Sequence, residues 1–252
     1  MNLAAKPTLR VATWNIHKGV RGLGPLKRLE IHGIAEHLPE LRADLVFLQE
    51  VRAVHRRDAL RFAGWPRLSQ AEFLAAKGYF AAYQTNAVTR HGEHGNALLS
   101  RWPILRHQHE DMSDHRLEQR GLLHVELDTG PERVGHLHAI VVHLGLIPAS
   151  RTRQLAQLMA YMARHIPEQA PVVVAGDFND WGLKQRQALA LAGLFECESH
   201  ADSKGLTFPA ALPLLAYDHI YARGLKPETV EVPRGRPWSR LSDHLPLIAN
   251  LR

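Results

Sequence analysis

Apolar positions along this chain fall into two recurring patterns: short β-rich runs that stop abruptly on polar residues, and stretches of roughly helical spacing between them. Residues 9–14 read as a strand that runs into the polar turn NIHKG. Over 26–41, Leu26, Leu29, Ile34, Leu38 and Leu41 recur near helical spacing, with Pro39 interrupting close to the end, and predict a helix. The run DLVFLQEV, 44–51, is apolar in the manner of a strand buried on both faces and ends on Gln49 and Glu50. Residues 54–77 are helix-like with breaks at Gly64 and Pro66; 79–83 is a short strand, TRHGEHG over 89–95 a turn-rich loop, and GNALLSRWPI over 95–104 a strand ending on Arg101. Two further strands, 121–127 and 134–144, flank a Thr129, Gly130, Pro131 turn and predict an antiparallel hairpin. An amphipathic helix follows over 149–166, with Ser150 as its cap and Leu155, Leu158, Met159 and Met162 as its stripe.

The stretch PVVVAGDFNDW, 171–181, sets the terms for the rest: Val172, Val173 and Val174 make a buried strand, broken by Gly176 just before Asp177, Phe178, Asn179 and Asp180. A short helix over 183–192, a loop over 198–209, and the strand YDHIYA over 217–222, with Asp218 near its start, come next. Residues 238–242 then lead into Asp243, His244 and a terminal strand over 245–251. Two rounds of strands alternating with helices predict α/β layers with some antiparallel pairing. No repeat, low-complexity tract or long linker divides the chain, so one domain over 1–252 is expected.

Composition narrows this picture. A chain of 252 residues, 45% of them hydrophobic, can bury a substantial core without staples. The single cysteine, Cys197, excludes an intrachain disulfide framework and a cysteine-rich zinc site. No signal-peptide core and no apolar run of membrane-spanning length are visible, so a cytoplasmic protein is expected, with a monomer favoured. The formal charge of +6 predicts attraction to polyanions such as nucleic acid or anionic lipid head groups. Arg52, Arg56, Arg57, Arg61 and Arg67 form the densest basic cluster, read equally as a phosphate-facing group and as a solvated helix face.

Polar residues at strand ends carry the candidate chemistry, because the sheet holds the backbone while the side chain leaves it. A carboxylate ending a buried run, as Glu50 does, is costly unless it is paired or binds a cation. His136 and His138 share one face of their strand, with His143 on the other, and a shared face invites a zinc reading. With no third ligand identified, solvent-facing positions are expected for the pair. Trp14, Phe47 and Trp102 are read as core or cleft wall. Phe208, Pro209, Leu212, Pro213, Leu214 and Leu215 form the one apolar loop able to touch a membrane, and packing against the body is the expectation for it.

Taken together, WNIHKG, FLQEV, GNALLSR, VVHLG, GDFND, YDHIY and SDHLP stand in an order and spacing that resembles the endonuclease/exonuclease/phosphatase superfamily over nearly the whole chain. That superfamily includes deoxyribonuclease I-like and exonuclease III-like nucleases, sphingomyelinases and inositol polyphosphate 5-phosphatases. The WNIHKG form is similar to small bacterial members. The resemblance implies a four-layer αββα sandwich of two packed mixed β-sheets with a metal site where strand-end loops meet. Carried over residue by residue, it implies Glu50 as principal Mg²⁺ ligand, Mn²⁺ being the alternative ion, with Asn15 and Asp243 completing the site. It implies Asp177 as the residue that orients or deprotonates water, Asn179 as a holder of a phosphate oxygen, His244 as the phosphate-binding imidazolium and Asp218 as its orienting carboxylate. His143 takes the position of a second group beside the scissile phosphate. Relatives commonly carry an acidic residue where this chain has His17, which places His17 near the phosphate instead. Asn96 and Arg101 are divided evenly between substrate contact and structure. No long loop suited to a damaged duplex is apparent, so abasic-site specificity is not expected.

Three functions follow from different classes. The first is a Mg²⁺-dependent phosphodiesterase, a nuclease acting on DNA or RNA, by virtue of the basic balance. The second is a phospholipid or inositol phosphate hydrolase on the same core, which an apolar lip around the site would favour. The third, a catalytically silent binding module, is opposed by the complete set of site residues.

Overall fold

In this computed structural model residues 8–115, 118–180, 183–197 and 205–252 are described. In chain order the strands are β1 (Leu9–Asn15), β2 (Val20–Arg21), β3 (Arg28–Leu29), β4 (Leu45–Val51), β5 (Phe80–Thr89), β6 (Gly92–Ser100), β7 (Ile104–Asp111), β8 (Gly121–Asp128), β9 (His136–His143), β10 (Val172–Asp177), β11 (Phe195–Glu196), β12 (Asp218–Arg223), β13 (Pro227–Glu231) and β14 (Leu247–Leu251). The α-helices are α1 (Ile31–His37), α2 (Arg56–Arg61), α3 (Gln70–Ala75), α4 (Pro148–His165), α5 (Leu183–Leu191) and α6 (Trp238–Leu241).

Two six-stranded mixed sheets result, in the orders β13-β14-β1-β4-β6-β5 and β11-β12-β10-β9-β8-β7, beside a small β2-β3 ribbon. Each large sheet contains one parallel pair, β1 with β4 and β9 with β10, and its other pairings are antiparallel. A parallel pair needs a crossover, and helices supply both: α1 between β1 and β4, α4 between β9 and β10.

Alternation along the strands sorts side chains into three apolar layers. Leu9, Val11, Leu45 and Phe47 from the first sheet meet Val125, Val141, Val173 and Ile220 from the second, filling the space between sheets. Ala12, Trp14, Val46 and Leu48 face outward, under Ile31, Ile34 and Leu74 of the helices on that side. Ile140, Val142, Val172 and Val174 face the other way, under Leu155, Leu158 and Met162 of α4. The order helix, sheet, sheet, helix is therefore the expected four-layer sandwich.

Several expectations change. The helix expected over 26–41 begins only at Ile31, because Leu26 is exposed and Leu29 pairs with Val20 in the β2-β3 ribbon. The loop expected at 89–95 is mostly strand, since β5 and β6 turn through Arg90 and His91 alone. Ser150 does not cap α4: Ile147 is the cap residue, Pro148 opens the helix, and the Ser150 hydroxyl donates to Asp114 at 2.6 Å. Gly176 lies inside β10 rather than ending it, where a Cβ would stand 1.9 Å from the Val142 carbonyl oxygen of β9, so only glycine fits. The arginine cluster is not one face, because Arg52 is buried in an ion pair with Asp58. Of the loop expected at 198–209, residues 198–204 lie outside the described residues. Among the described residues no helix is long and apolar enough to cross a membrane.

Candidate active site

Parallel strands leave their carboxyl ends on the same side, and both parallel pairs here open onto one mouth. Asn15 ends β1, His143 ends β9 and Asp177 ends β10, each on the alternation that faces the opposing sheet. Asp218 opens β12 directly across from Asp177, and Asp243 and His244 lie in the bend that leads through Leu245 and Pro246 into β14, which runs antiparallel to β1. Glu50 belongs to the outward alternation of β4. A register shift between Leu48 and Val51, with Glu50 at φ 56°, turns its carboxylate back to the mouth.

Asp177 is the hub. Its Oδ2 accepts from Asn15 Nδ2 at 3.0 Å and lies 3.6 Å from Nε2 of both His143 and His244. Its Oδ1 accepts from the Asn179 amide N–H at 3.0 Å, while Asn179 Nδ2 donates to the Leu144 carbonyl at 2.9 Å. The other ring nitrogen of His244, Nδ1, sits 2.8 Å from Asp218 Oδ2, which also accepts from Thr207 Oγ1 at 2.5 Å. Phe208 and Tyr217 stack on each other and flank the imidazole, with ring centroids 4.8 and 6.4 Å from it. Main-chain ties fix the constellation: Trp14 Nε1 donates to the His244 carbonyl at 2.9 Å and Ser242 Oγ to the Asn15 carbonyl at 2.7 Å.

These placements set the charges. Burial alone would lower the His244 pKa, but the Asp218 and Asp177 carboxylates override it and push it up to about 10, so the ring is an imidazolium at neutral pH. Burial pushes the Asp177 carboxyl up to about 6, with the His244 cation opposing the rise. His143, enclosed and near Arg120, is held well below the usual imidazole range and is neutral.

A second group sits beside the hub. His17 Nδ1 lies 3.1 Å from Asp243 Oδ2 and 3.8 Å from Glu50 Oε2, and Lys18 makes an ion pair with Glu50. Burial pushes Glu50 up, yet the Lys18 ammonium outweighs it and holds the carboxyl well below the usual carboxylate range. Burial likewise raises Asp243, but His17 outweighs it. Two ionised carboxylates, Glu50 beside Lys18 and His17 and Asp243 beside His17, with the Asn15 amide oxygen accepting at 3.0 Å from the His17 N–H, form an oxygen donor set that fits a hard divalent ion such as Mg²⁺.

Of the residues singled out from the sequence, Asn15, His17, Glu50, His143, Asp177, Asn179, Asp218, Asp243 and His244 are brought together. Two are not. Asn96 is fully buried and bridges the sheets, donating to the Gly121 and Val141 carbonyls at 2.8 and 3.3 Å, so it cannot reach a substrate. Arg101 follows Ser100, which pairs with Leu45 at the opposite end of β4 from Glu50, and its guanidinium lies over the Tyr79 ring. Lys18 and Thr207 also contribute, without a sequence signal that singles them out: Lys18 is one basic residue among many in the chain, though inside WNIHKG, and Thr207 lies in a loop with no pattern to mark it.

The model of the endonuclease/exonuclease/phosphatase family matches residues 12–244, a span from β1 to the His244 of the mouth. The chain belongs to this family. The uncharacterized protein YbhP of Escherichia coli K12 is 38% identical over 247 residues, covering 97% of this chain and 96% of its own length. Among solved structures, the endonuclease/exonuclease/phosphatase from Bacteroides vulgatus superposes with a TM-score of 0.73 at 18% identity, covering 98% of this chain and 99% of that one. D. rerio TDP2, complexed with a single strand DNA product, superposes with a TM-score of 0.68 at 18% identity, covering 97% and 99%. Both structural likenesses bear out the two packed sheets.

Proposed function

We propose that this chain is a Mg²⁺-dependent phosphodiesterase, acting on nucleic acid, within one domain that spans the sequence. The observation that carries the reading is the Asp177 hub: one carboxylate oxygen within 3.6 Å of two imidazoles, one of them charged through its bond to a second carboxylate. Asp177, ionised above about pH 6, orients the attacking water and takes its proton. His244 presents an Nε2–H to a non-bridging phosphate oxygen and offsets the charge that builds there, while Asp218 keeps the ring charged and aimed. Asn179 spends one amide hydrogen on Leu144 and has the other for the phosphate. His143, neutral, is a hydrogen-bond partner beside the same centre, and His17 lies at the phosphate side of the two carboxylates. Glu50 and Asp243, with the Asn15 oxygen, would hold the ion. Bound Mg²⁺ supplies Lewis-acid neutralisation of the phosphate.

The basic balance of the chain and the DNA complex of D. rerio TDP2 support nucleic acid as the substrate. A phospholipid or inositol phosphate reading is favoured by one feature: Leu146, 67% exposed, follows the His143 strand end, and Leu212, 65% exposed, lies in the loop whose Ala210 bonds the Asp243 carbonyl. That loop is packed through Phe208 and Ala210 yet projects Leu212 and Leu214 outward.

Hydrolysis of bis(p-nitrophenyl) phosphate with Mg²⁺ or Mn²⁺ tests the core claim, with His244→Ala and Glu50→Ala as comparisons. Activity in the wild type and a loss of about 10²–10³-fold in His244→Ala is expected; three equally inactive proteins overturn it. Plasmid DNA, single-stranded DNA, RNA, inositol phosphates and phospholipids assayed side by side decide the substrate.

A further inference from the structure

The outward face of the second sheet carries a polar cluster that the mouth does not use. β8 and β9 pair with Glu126 opposite His138 and Asp128 opposite His136, so His124, Glu126, His136 and His138 all share the alternation that faces α4. The expectation of solvent-facing histidines holds for His136 alone: His138 is buried and His124 more so, and the third ligand absent from the sequence reading is supplied by the neighbouring strand. Nε2 of His124 lies 2.9 Å from Nδ1 of His138, and one ligand atom from each of His124, Glu126 and His138 lies within 4.8 Å of the others.

Hydrogen bonding fixes which atoms are free. The Tyr161 hydroxyl donates to Gln108 Oε1 at 3.0 Å, so its oxygen accepts from Nδ1 of His124 at 3.1 Å. Nε2 of His124 then carries a lone pair, aimed at His138. Such a partner on the far nitrogen is what orients a ligating histidine. Arg106 places both its bonds on Glu126 Oε1, which leaves Oε2 on the side of His136, 3.4 Å from its Nε2.

We propose that His124 Nε2, His138 Nδ1 and Glu126 Oε2 form a binding site for a zinc-class divalent ion, distinct from the oxygen-donor set at the mouth. Two imidazoles and one carboxylate suit zinc in preference to magnesium. Metal–nitrogen bonds near 2.0–2.1 Å place two tetrahedral nitrogen ligands about 3.3 Å apart, a small expansion of the present pair. On binding, the proton on His138 Nδ1 transfers to its Nε2 and the ion takes its place between the rings, with no change of oxidation state. The exposed ring of His136 stacks on His138, centroids 4.9 Å apart, and marks the open edge through which an ion enters. His138 precedes His143 by five residues on β9, about 17 Å along the strand and on the opposite face, so the two centres are separate.

The test uses the full chain, stripped with chelator and returned to saturating Mg²⁺, titrated with Co²⁺ and then Zn²⁺. One equivalent of Co²⁺ with a tetrahedral visible spectrum, displaced by Zn²⁺, and a Zn²⁺-dependent rise in melting temperature are expected. Affinity should fall by at least about 10–100-fold in His138→Gln and Glu126→Gln, since losing a direct ligand costs no less than losing an outer partner that orients one. Both variants keep Mg²⁺-dependent hydrolysis and the far-UV spectrum of wild type, which shows that they fold. No saturable Co²⁺ signal in wild type, an unchanged affinity in both variants, or a signal abolished by Asp177→Asn but not by His138→Gln overturns the proposal.

Discussion

Asp218 decides the charge of the mouth without facing it. It binds the far nitrogen of His244 and is itself held by Thr207, the arrangement expected of a positioning residue under the proposed function. Asp218→Asn removes the anion that keeps the imidazole charged, and a loss of about 10²–10³-fold in kcat is expected. The pH–rate profile separates this from simple disorder: wild type should gain rate as Asp177 ionises through about pH 6 and hold it until His244 deprotonates near 10. In Asp218→Asn the alkaline limb should move toward neutrality. Stability carries the same sign. A histidine raised on folding binds more protons folded than unfolded, so its contribution is complete below about 6.5 and drains away as pH climbs through about 10. Metal-free wild type should therefore lose more melting temperature than His244→Asn between pH 7 and 10, as read by scanning calorimetry. Individually, Asp177 and Asp218 are legible because one ends and the other opens a strand in a recognisable motif, and His244 because its SDH motif stands just ahead of the terminal strand. Asn96 and Arg101 stay divided between substrate contact and structure at the sequence level, because a strand sequence does not reveal which end lies at the mouth or which side chains bridge two sheets.

The strands themselves read well where both faces are buried, as in β1, β4 and β10, since continuous apolar runs have no rival explanation. β7 and β13 escaped notice: both are edge strands whose partly exposed, polar residues carry no alternation that a sequence can show. The helix expected over 26–41 shows the converse failure, where apolar spacing continued through Leu26 although that side chain faces solvent. Gly176 links element to site. Gly176→Ala forces β9 and β10 apart at the residue pair beside His143 and Asp177, so a loss on the order of 2–4 kcal/mol is expected from denaturant midpoints. Activity should fall further than stability, because the hub distances depend on that spacing. A midpoint unchanged from wild type would show that the strands can yield.

Charge is a property of the whole molecule. If polyanion attraction at +6 governs substrate capture, binding to single-stranded DNA should weaken steeply between 50 and 200 mM salt, and binding to neutral detergent-dispersed lipid should not. A flat salt dependence for DNA, together with rates that rise on vesicles, would shift the assignment to lipid through Leu146 and Leu212. The chain builds the first sheet through β6, lays down the second over β7 to β12, and only then returns with β13 and β14 to lie against β1. Asp243 and His244 arrive with that return, after every other member of the mouth. On the proposed function, a chain still being translated therefore lacks two members of the mouth until those two codons have been decoded and their residues have docked. A nonsense mutation upstream of them is expected to leave a product without hydrolytic activity in the bis(p-nitrophenyl) phosphate assay, however much of the second sheet it has folded.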